Sequence, residues 1–251
     1  MPDDKFNFLL RMGDNALVLS QRLSQWCGKG PALEEDIALT NVALDLLGQA
    51  RLWFAYAGEL EGKDRDEDQL AFLRDAHDFR NLLLVEQPNG TYADTLARQF
   101  YFDSWHYFLL QELTKSSDAR VADIAEKSIK EVSYHLRRSG DLVVRLGDGS
   151  EQSRSMMQAA LDDLWMYTGE MFKADAVDEA MTAQSIAPAP ADLHAPWLAH
   201  VQGIFEEATL VLPPANAWMQ QGGRQGKHTE HLGYLLAEMQ FLQRAYPGAQ
   251  W

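Results

Sequence analysis

The sequence predicts an all-α fold, built as a bundle of long helices. Near the start of the chain, apolar side chains recur at steps of three and four residues, which is the spacing of one helical face. Later apolar stretches are separated by Gly- and Pro-containing turns of the kind that end helices. No run alternates apolar and polar residues with the period of two expected for a strand. Helices therefore account for all of the predicted regular structure.

Two long helices are predicted first. The first carries its apolar stripe on Leu9, Met12, Ala16, Leu19, Leu23 and Trp26. It ends at the turn 28–31, where Pro31 can open the next helix. That second helix has acids in its first turn, at 34–36, and runs to about Gly62. It is apolar nearly all round, so we expect it in the middle of the bundle.

Four further helices are predicted in the middle of the chain. A third helix follows the charged linker 62–68, and its inward positions are Phe72, Ala76, Phe79 and Leu83. The turn 87–90 ends it, and Thr91 with Asp94 resembles a capping box for a fourth helix to about residue 115. Ser117 or Asp118 caps a fifth helix that continues to about residue 146. A sixth helix after the turn 147–150 carries sulfur and aromatic side chains that we expect in the core or against a partner helix: Met156, Met157, Trp165, Met166, Met171 and Phe172.

The C-terminal part of the chain is predicted to be less regular. Prolines confine its helices to short pieces, one around 197–210, and a last helix is predicted near 229–245. We expect a single domain over 1–251, with core helices over about 6–173 and an irregular helical segment over about 174–251. A chain of 251 residues can bury one substantial core.

Composition excludes several classes of function. The net charge of −15 repels nucleic acid and gives no reason to bind an anionic membrane. Cys27 is the one cysteine, which rules out a disulfide framework and a cysteine-based metal site. The sequence contains no apolar run of about 20 residues, the length of a membrane helix, and no signal-peptide pattern at its start. We expect a cytoplasmic protein.

Carboxylates and histidines on three of the predicted helices resemble part of a di-iron ligand set. A helical bundle holds two irons with one acid from each of two helices and Glu-x-x-His from each of two others, because residues three apart share a helical face. Here Asp45 lies among hydrophobes on the second helix, and Asp103-x-x-His106 lies on the fourth. Glu131 on the fifth is followed by Tyr134 at the position of the second histidine, and by His135. The ligand set is incomplete.

Three hypotheses remain open for these residues and for the chain. In the first, Asp45, Asp103 and Glu131 are held by neighbouring cations and donors in a bundle without metal, because an unpaired buried carboxylate costs several kcal/mol. In the second, the chain is a self-sufficient metal-dependent oxidase that uses Asp45, Asp103, His106, Glu131 and His135. A ferritin-like store or scaffold that lacks an oxygenase partner is a third hypothesis.

Signals near the C-terminus are weaker. Gly226-Lys227 is not a phosphate loop, since His228 replaces Ser/Thr and no strand precedes it. The segment 228–231 is not His-Glu-x-x-His, and Thr229 is predicted to cap the last helix instead of binding metal. Arg224 and Lys227 on the glycine-rich loop are candidate contacts for an anion or a partner.

Several segments together resemble the C-subunit family of the bacterial phenylacetyl-CoA epoxidases. The resemblance is carried by 11–26, 44–51 (LDLLGQAR), 81–90 (NLLLVEQPNG), 93–106 (ADTLARQFYFDSWH), 228–233 (HTEHLG) and 237–251. It extends from about Leu10 to Trp251 and implies a ferritin-like fold for the predicted bundle.

The resemblance also implies a function. In that family a di-iron A subunit binds the irons and converts phenylacetyl-CoA to the ring-1,2-epoxide, with electrons from NADPH through a flavin and iron–sulfur reductase. The C subunit pairs with the A subunit and is regarded as structural, with phenylacetyl-CoA as a molecule it could border. The family motif assigns no catalytic residue to this subunit, so the resemblance implies a non-catalytic chain without a cofactor of its own.

Overall fold

The computed structural model describes residues 2–249, and it is all-α, as predicted: those residues form helices, short 3-10 turns and irregular connections, with no strand. The chain divides into two compact units. The first contains the residues up to Pro88 and those from Gly222 onward, and the second spans Asn89–Gln221. The single domain predicted over 1–251 stays a prediction. Within the described residues, no helix combines the length and the apolar character needed to cross a membrane.

The first unit is built on two long helices that pack along one another, α1 (Pro2–Ser24) and α2 (Leu33–Glu61). The apolar residues predicted to face inward from the helical part of α1 are buried: Leu9, Met12, Ala16, Leu19 and Leu23. Every other position from 8 to 20 is buried as well, so burial is not confined to one face. At Gly13 the two helices approach so closely that a Cβ atom would lie 2.4 Å from the ring of Phe54. This contact requires glycine on α1.

Helix α2 ends as predicted, with Gly62 in the left-handed conformation at its C-cap (φ 66°). The prediction that α2 lies in the middle of the bundle is wrong within the described chain. Four of its large apolar side chains are exposed on one face, while the others pack inward: Leu33 (71%), Ile37 (51%), Leu44 (60%) and Leu47 (43%). Its apolar surface therefore exceeds what the described chain covers.

The predicted third helix is also wrong. Instead, α3 (Glu67–Phe72) is short, a 3-10 turn follows at Ala76–Asp78, and the chain to Gly90 is irregular. Two side chains of α1 explain the difference: Asp14 accepts from the backbone N of Arg80 at 2.7 Å, and Asn15 accepts from the backbone N of Leu82 at 2.8 Å. These bonds satisfy backbone donors that a helix would otherwise use. The run 81–87 is buried at every position.

The last predicted helix is two helices, α9 (Glu230–Met239) and α10 (Phe241–Ala245). The break falls at Gln240, whose side-chain amide donates to the carbonyl oxygens of Ala71 (3.1 Å) and Arg74 (3.0 Å). Thr229 occupies the N-cap of α9, but its side chain makes no capping bond. Its backbone N donates instead to the Glu86 carboxylate at 2.6 Å.

The second unit contains the other long helices, α4 (Tyr92–Leu113), α5 (Ala119–Gly147) and α6 (Glu151–Trp165). The predicted capping box of Thr91 and Asp94 is confirmed, and Asp118, the second of the two residues predicted, caps α5. Short helices follow, α7 (Ala176–Ala183) and α8 (His194–Glu207), in agreement with the predicted irregular segment. Helix α4 packs against α5, α6 and α8, so it is the central helix of this unit.

Candidate functional site

The structure places five of the six predicted ligand positions on α4 and α5 of the second unit. Asp45 belongs to α2 of the first unit, where it is half-buried. Helix α4 buries most of its surface and α5 is strongly amphipathic, so the two helices bring polar residues into an apolar interior. The candidate site is therefore the polar group on α4 and α5.

Asp103 on α4 is buried, with 2% of its surface exposed. Burial raises the pKa of its carboxyl group to about 6. The charge of His135, a hydrogen bond from Ser139 and the charge of Arg138, all on α5, act to lower this pKa. On its own helix, Gln99 donates to Asp103 from 3.5 Å, one turn earlier. Asp103 is thus a carboxylate held by α5 side chains and one amide.

His106, three residues after Asp103, is buried among aromatic rings. The centroid of the Phe102 ring lies 5.0 Å away and that of Trp105 lies 6.3 Å away. Burial, with a smaller effect from the charge of His135, lowers the pKa of His106 to about 3. Its Nδ1 has no hydrogen-bond partner among the described residues. His106 is therefore a neutral imidazole in the core of the second unit at physiological pH.

The α5 positions differ sharply in exposure. His135 is buried, Glu131 is half-buried and Tyr134 is exposed, with 43% of its surface open. Tyr134 replaces the histidine that a second Glu-x-x-His would need, and its ring makes an edge contact with the His135 ring at 6.3 Å between centroids. A surface tyrosine cannot serve as an interior ligand.

These residues do not fit a di-iron centre. Such a centre needs four carboxylates and two histidines whose donor atoms converge. Within residues 2–249, one group of three brings possible ligand atoms within 4.8 Å of one another, and it lies elsewhere, on the first unit: Asp75, His77 and Asp78. Asp75 and His77 are exposed, Asp75 forms an ion pair with Arg244, and exposed acids of this kind commonly bind no metal.

The other candidate positions lie in the first unit. Arg224 is buried, with 9% exposed, whereas Lys227 is exposed. A Cβ atom at Gly223 would lie 2.3 Å from the carbonyl oxygen of Asn81, so the glycine-rich loop packs tightly against the segment before α4. His228 is half-buried and forms an ion pair with Glu86 at 2.8 Å. This contact was not predicted, and the side-chain cap that was predicted for Thr229 is absent.

Sequence reasoning missed Gln99 and Ser139 as partners of Asp103. A usable signal was present, because Gln99 precedes Asp103 by four residues and Ser139 follows His135 by four. Residues four apart share a helical face, so each pair was certain to be adjacent if α4 and α5 were helices. Residue spacing could not show that α4 and α5 contact each other.

Substitution of His106 by leucine is expected to change how stability responds to acid. In the unfolded chain the His106 imidazole binds a proton near pH 6.5, whereas in the folded chain it binds one only near pH 3. The free energy of unfolding therefore falls as pH drops through 6.5. Between pH 7 and pH 5 the wild type should lose about 2 kcal/mol more than His106→Leu. Urea unfolding at both pH values measures the difference.

His77→Leu is the matched control for this experiment, because the His77 side chain is 75% exposed. It should leave the pH response of the wild type unchanged. Equal pH responses for His106→Leu and the wild type would contradict the buried, neutral state of His106.

Comparison with known proteins places these observations in a family. Residues 2–251 match the family model described as "Phenylacetic acid catabolic protein". The chain is 53% identical over 244 residues to the C subunit of the 1,2-phenylacetyl-CoA epoxidase of Escherichia coli (strain K12), covering 97% of this chain and 98% of that protein. The all-α architecture agrees with the fold that the resemblance implied. The chain belongs to the phenylacetic acid catabolic protein family.

Proposed function

We propose that the chain is a non-catalytic, structural subunit of a cytoplasmic phenylacetyl-CoA epoxidase and pairs with a di-iron catalytic A subunit. The observation that carries this proposal is the state of the acid and histidine group on α4 and α5. One carboxylate and two imidazoles are buried there, but Tyr134 is exposed in the place of a ligand. The similarity to the C subunit of the Escherichia coli enzyme over 97% of this chain supports the same role.

In this proposal the partner subunit catalyses the epoxidation. The A subunit would bind both irons and insert one oxygen atom of O₂ into the ring of phenylacetyl-CoA, with the other atom leaving as water. The two electrons would come from NADPH through the flavin and iron–sulfur reductase subunit. The residues of this chain would hold the partner in shape, and Asp103, His106 and His135 would stabilise α4 against α5.

Iron analysis tests the proposal. The chain purified alone should contain far less than one iron per chain, and iron should appear in stoichiometric amounts when it is purified with the A-type subunit. The reason is that the donor atoms of Asp103, His106 and His135 do not form a three-ligand group within 4.8 Å. Metal content by mass spectrometry and epoxide formation from phenylacetyl-CoA are the two measurements.

The alternative, a self-sufficient metal oxidase, makes the opposite prediction. Stoichiometric iron in the chain alone, lost on Asp103→Ala and retained on Asp75→Ala, would overturn the proposed function. The Asp75→Ala variant is needed because the group of Asp75, His77 and Asp78 is where metal from the buffer could bind at the surface.

A further inference from the structure

One face of α2 has features of a helix-binding surface. We define the α2 seam as Leu33, Ile37, Leu44 and Leu47, whose exposures range from 43% to 71%. Together they expose roughly 400 Å², within the range of about 300–600 Å² of the largest apolar patch on a typical soluble monomer, and such a patch is often functional. The first unit packs α2 against α1 and α3, and the seam is the apolar surface of α2 that remains.

The spacing of the seam indicates what it binds. From Leu33 the exposed or half-buried positions run through Ile37, Thr40, Leu44 and Leu47 at steps of four, three, four and three. This alternation is the repeat of a coiled-coil seam, which keeps apolar side chains facing one partner helix over several turns. A stripe that follows the axis of α2 over four turns suits a partner helix that runs beside it.

Gly48 supplies a second, independent observation. It is exposed inside α2, and a Cβ atom there would meet no heavy atom of the described residues within 4 Å. Gly13 differs, since a Cβ atom at that position would meet the Phe54 ring. Glycine inside a helix costs about 1 kcal/mol relative to alanine. The packing of the described chain gives no reason for that cost at Gly48, Gly203 or Gly233. Gly48 differs from the other two in lying beside the exposed Leu44 and Leu47, where a partner helix could approach closely.

The distribution of charge favours a different subunit over a second copy. From Ile37 to Gly48, each exposed residue is uncharged, whereas the exposed residues Glu34 and Arg51 lie on either side. An apolar centre with a charged rim is typical of a protein–protein interface. Two copies of a chain with a net charge of −15 repel each other, so a second copy is a poor occupant.

From these observations, we propose that the α2 seam binds a long amphipathic helix of the A-type subunit of the same epoxidase, with Gly48 at the point of closest approach. This proposal rests on the proposed function, because it requires a heterologous partner. It adds the surface, the secondary structure of the partner element and the residue at which the two helices come nearest.

The test is co-expression of this chain with the A-type subunit, followed by affinity capture and analytical ultracentrifugation. Leu44→Glu combined with Leu47→Glu should weaken the complex at least tenfold, because charges replace the apolar centre of the seam. Tyr234→Glu is the matched control, since Tyr234 is a large exposed residue (71%) on α9 of the same unit. It should leave the complex unchanged.

Gly48→Gln separates a blocked interface from a damaged fold. A helix-favouring residue in open space should raise the Tm of the isolated chain by about 2 °C, yet weaken the complex at least tenfold. Gly203→Gln is the control, because Gly203 is exposed on α8 and also has open space around its Cβ position. It should raise the Tm similarly without weakening the complex.

The outcomes distinguish this proposal from the proposed function. If the wild-type chain does not bind the A-type subunit, the proposed function is wrong. If the wild type binds and both the seam variant and Gly48→Gln bind equally well, the function stands and the seam assignment is wrong. Self-association of the wild type that the seam variant abolishes would make a second copy the occupant, and would also overturn the proposal.

Discussion

Replacement of Asp14 by alanine is expected to lower the free energy of unfolding by about 3–5 kcal/mol, because it leaves a buried cation without its partner. Asp14 is fully buried on α1, and the side chain of Arg74, which follows α3, is 5% exposed. The guanidinium of Arg74 contacts both carboxylate oxygens, at 3.1 Å from Nη1 to Oδ2 and in a second, shorter contact from Nη2 to Oδ1. Because both side chains are buried, solvent cannot replace the lost carboxylate.

Other contacts hold Arg74 in this position when Asp14 is removed, because its guanidinium also donates to the carbonyl oxygens of Leu70 and Asp78. Its guanidinium lies 4.3 Å from the centroid of the Phe79 ring and 5.3 Å from that of Phe54, so the two rings hold it in place. Asp14 also accepts from the backbone N of Arg80, and that donor would lose its partner in the variant. The substitution therefore removes an ion pair and leaves a backbone donor unsatisfied at the same time.

Urea unfolding of Asp14→Ala against the wild type measures the loss. Glu112→Ala removes a surface ion pair, Lys115–Glu112 at 2.7 Å with side chains 64% and 41% exposed, and should change stability by under about 0.5 kcal/mol. Should Asp14→Ala unfold during purification, Asp14→Asn keeps the size of the side chain and gives a measurable intermediate loss. A loss for Asp14→Ala no greater than that for Glu112→Ala would contradict the role of this pair.

Asp14 also shows which part of the fold could not be predicted from the sequence. Helices α4 and α5 were predicted with their capping residues because a cap acts on backbone groups two or three positions away. The third predicted helix failed because Asp14 and Asn15, more than sixty residues earlier, take the backbone donors of Arg80 and Leu82. Such competition depends on which segments meet in space, and local spacing carries no information about it.

Some features of the candidate site could likewise be predicted from the sequence, and others could not. The face that joins Asp103 with Gln99, and the face that joins His135 with Ser139, both follow from helical spacing. The pKa values of Asp103 and His106 do not, because burial is their largest cause and burial depends on how α4 packs in the second unit. The exposed seam of α2 was also missed, since an apolar helix in a subunit can be covered by a partner chain.

Substitution of Glu86 by alanine is expected to cost about 3–5 kcal/mol near pH 6, because Glu86 accepts hydrogen bonds from three groups in the interior of the first unit. Its carboxylate is fully buried. One oxygen accepts from the backbone N of Thr229 at 2.6 Å, and the other lies 3.0 Å from the amide of Asn81 and 2.8 Å from Nδ1 of His228. Alanine would leave all three without this acceptor.

The protonation state of His228 follows from its two contacts. Nδ1 faces the Glu86 carboxylate and Nε2 lies 3.0 Å from the carbonyl oxygen of Phe79, and both of those partners can only accept. With Glu86 ionised, both contacts are hydrogen bonds only when both ring nitrogens carry protons, which favours the imidazolium. Burial acts to lower the pKa of His228, but the hydrogen bond and charge of Glu86, the Phe79 carbonyl and the charge of Asp14 together raise it.

The raised pKa of His228 sets the direction in which the free energy of unfolding changes with pH. The stabilisation from the His228 charge is fully present below pH 6.5, the ordinary value, and is lost as pH rises through the higher pKa of the folded state. The wild type should therefore lose this contribution as pH rises above 6.5, and Glu86→Ala should not, because it has already lost the partner charge. Unfolding free energies measured from pH 6 upward test both statements.

Hydrogen exchange locates the effect, because His228 and Thr229 immediately precede α9. In Glu86→Ala the amides of α9 should exchange faster than in the wild type, while those of α4 in the second unit should change little. A double-mutant cycle with His228→Leu then isolates the pair, and replacing both residues by leucine should recover part of the loss, since two apolar groups need no partner. Independent, additive losses from the two single variants would show that Glu86 and His228 do not stabilise the fold as an ion pair.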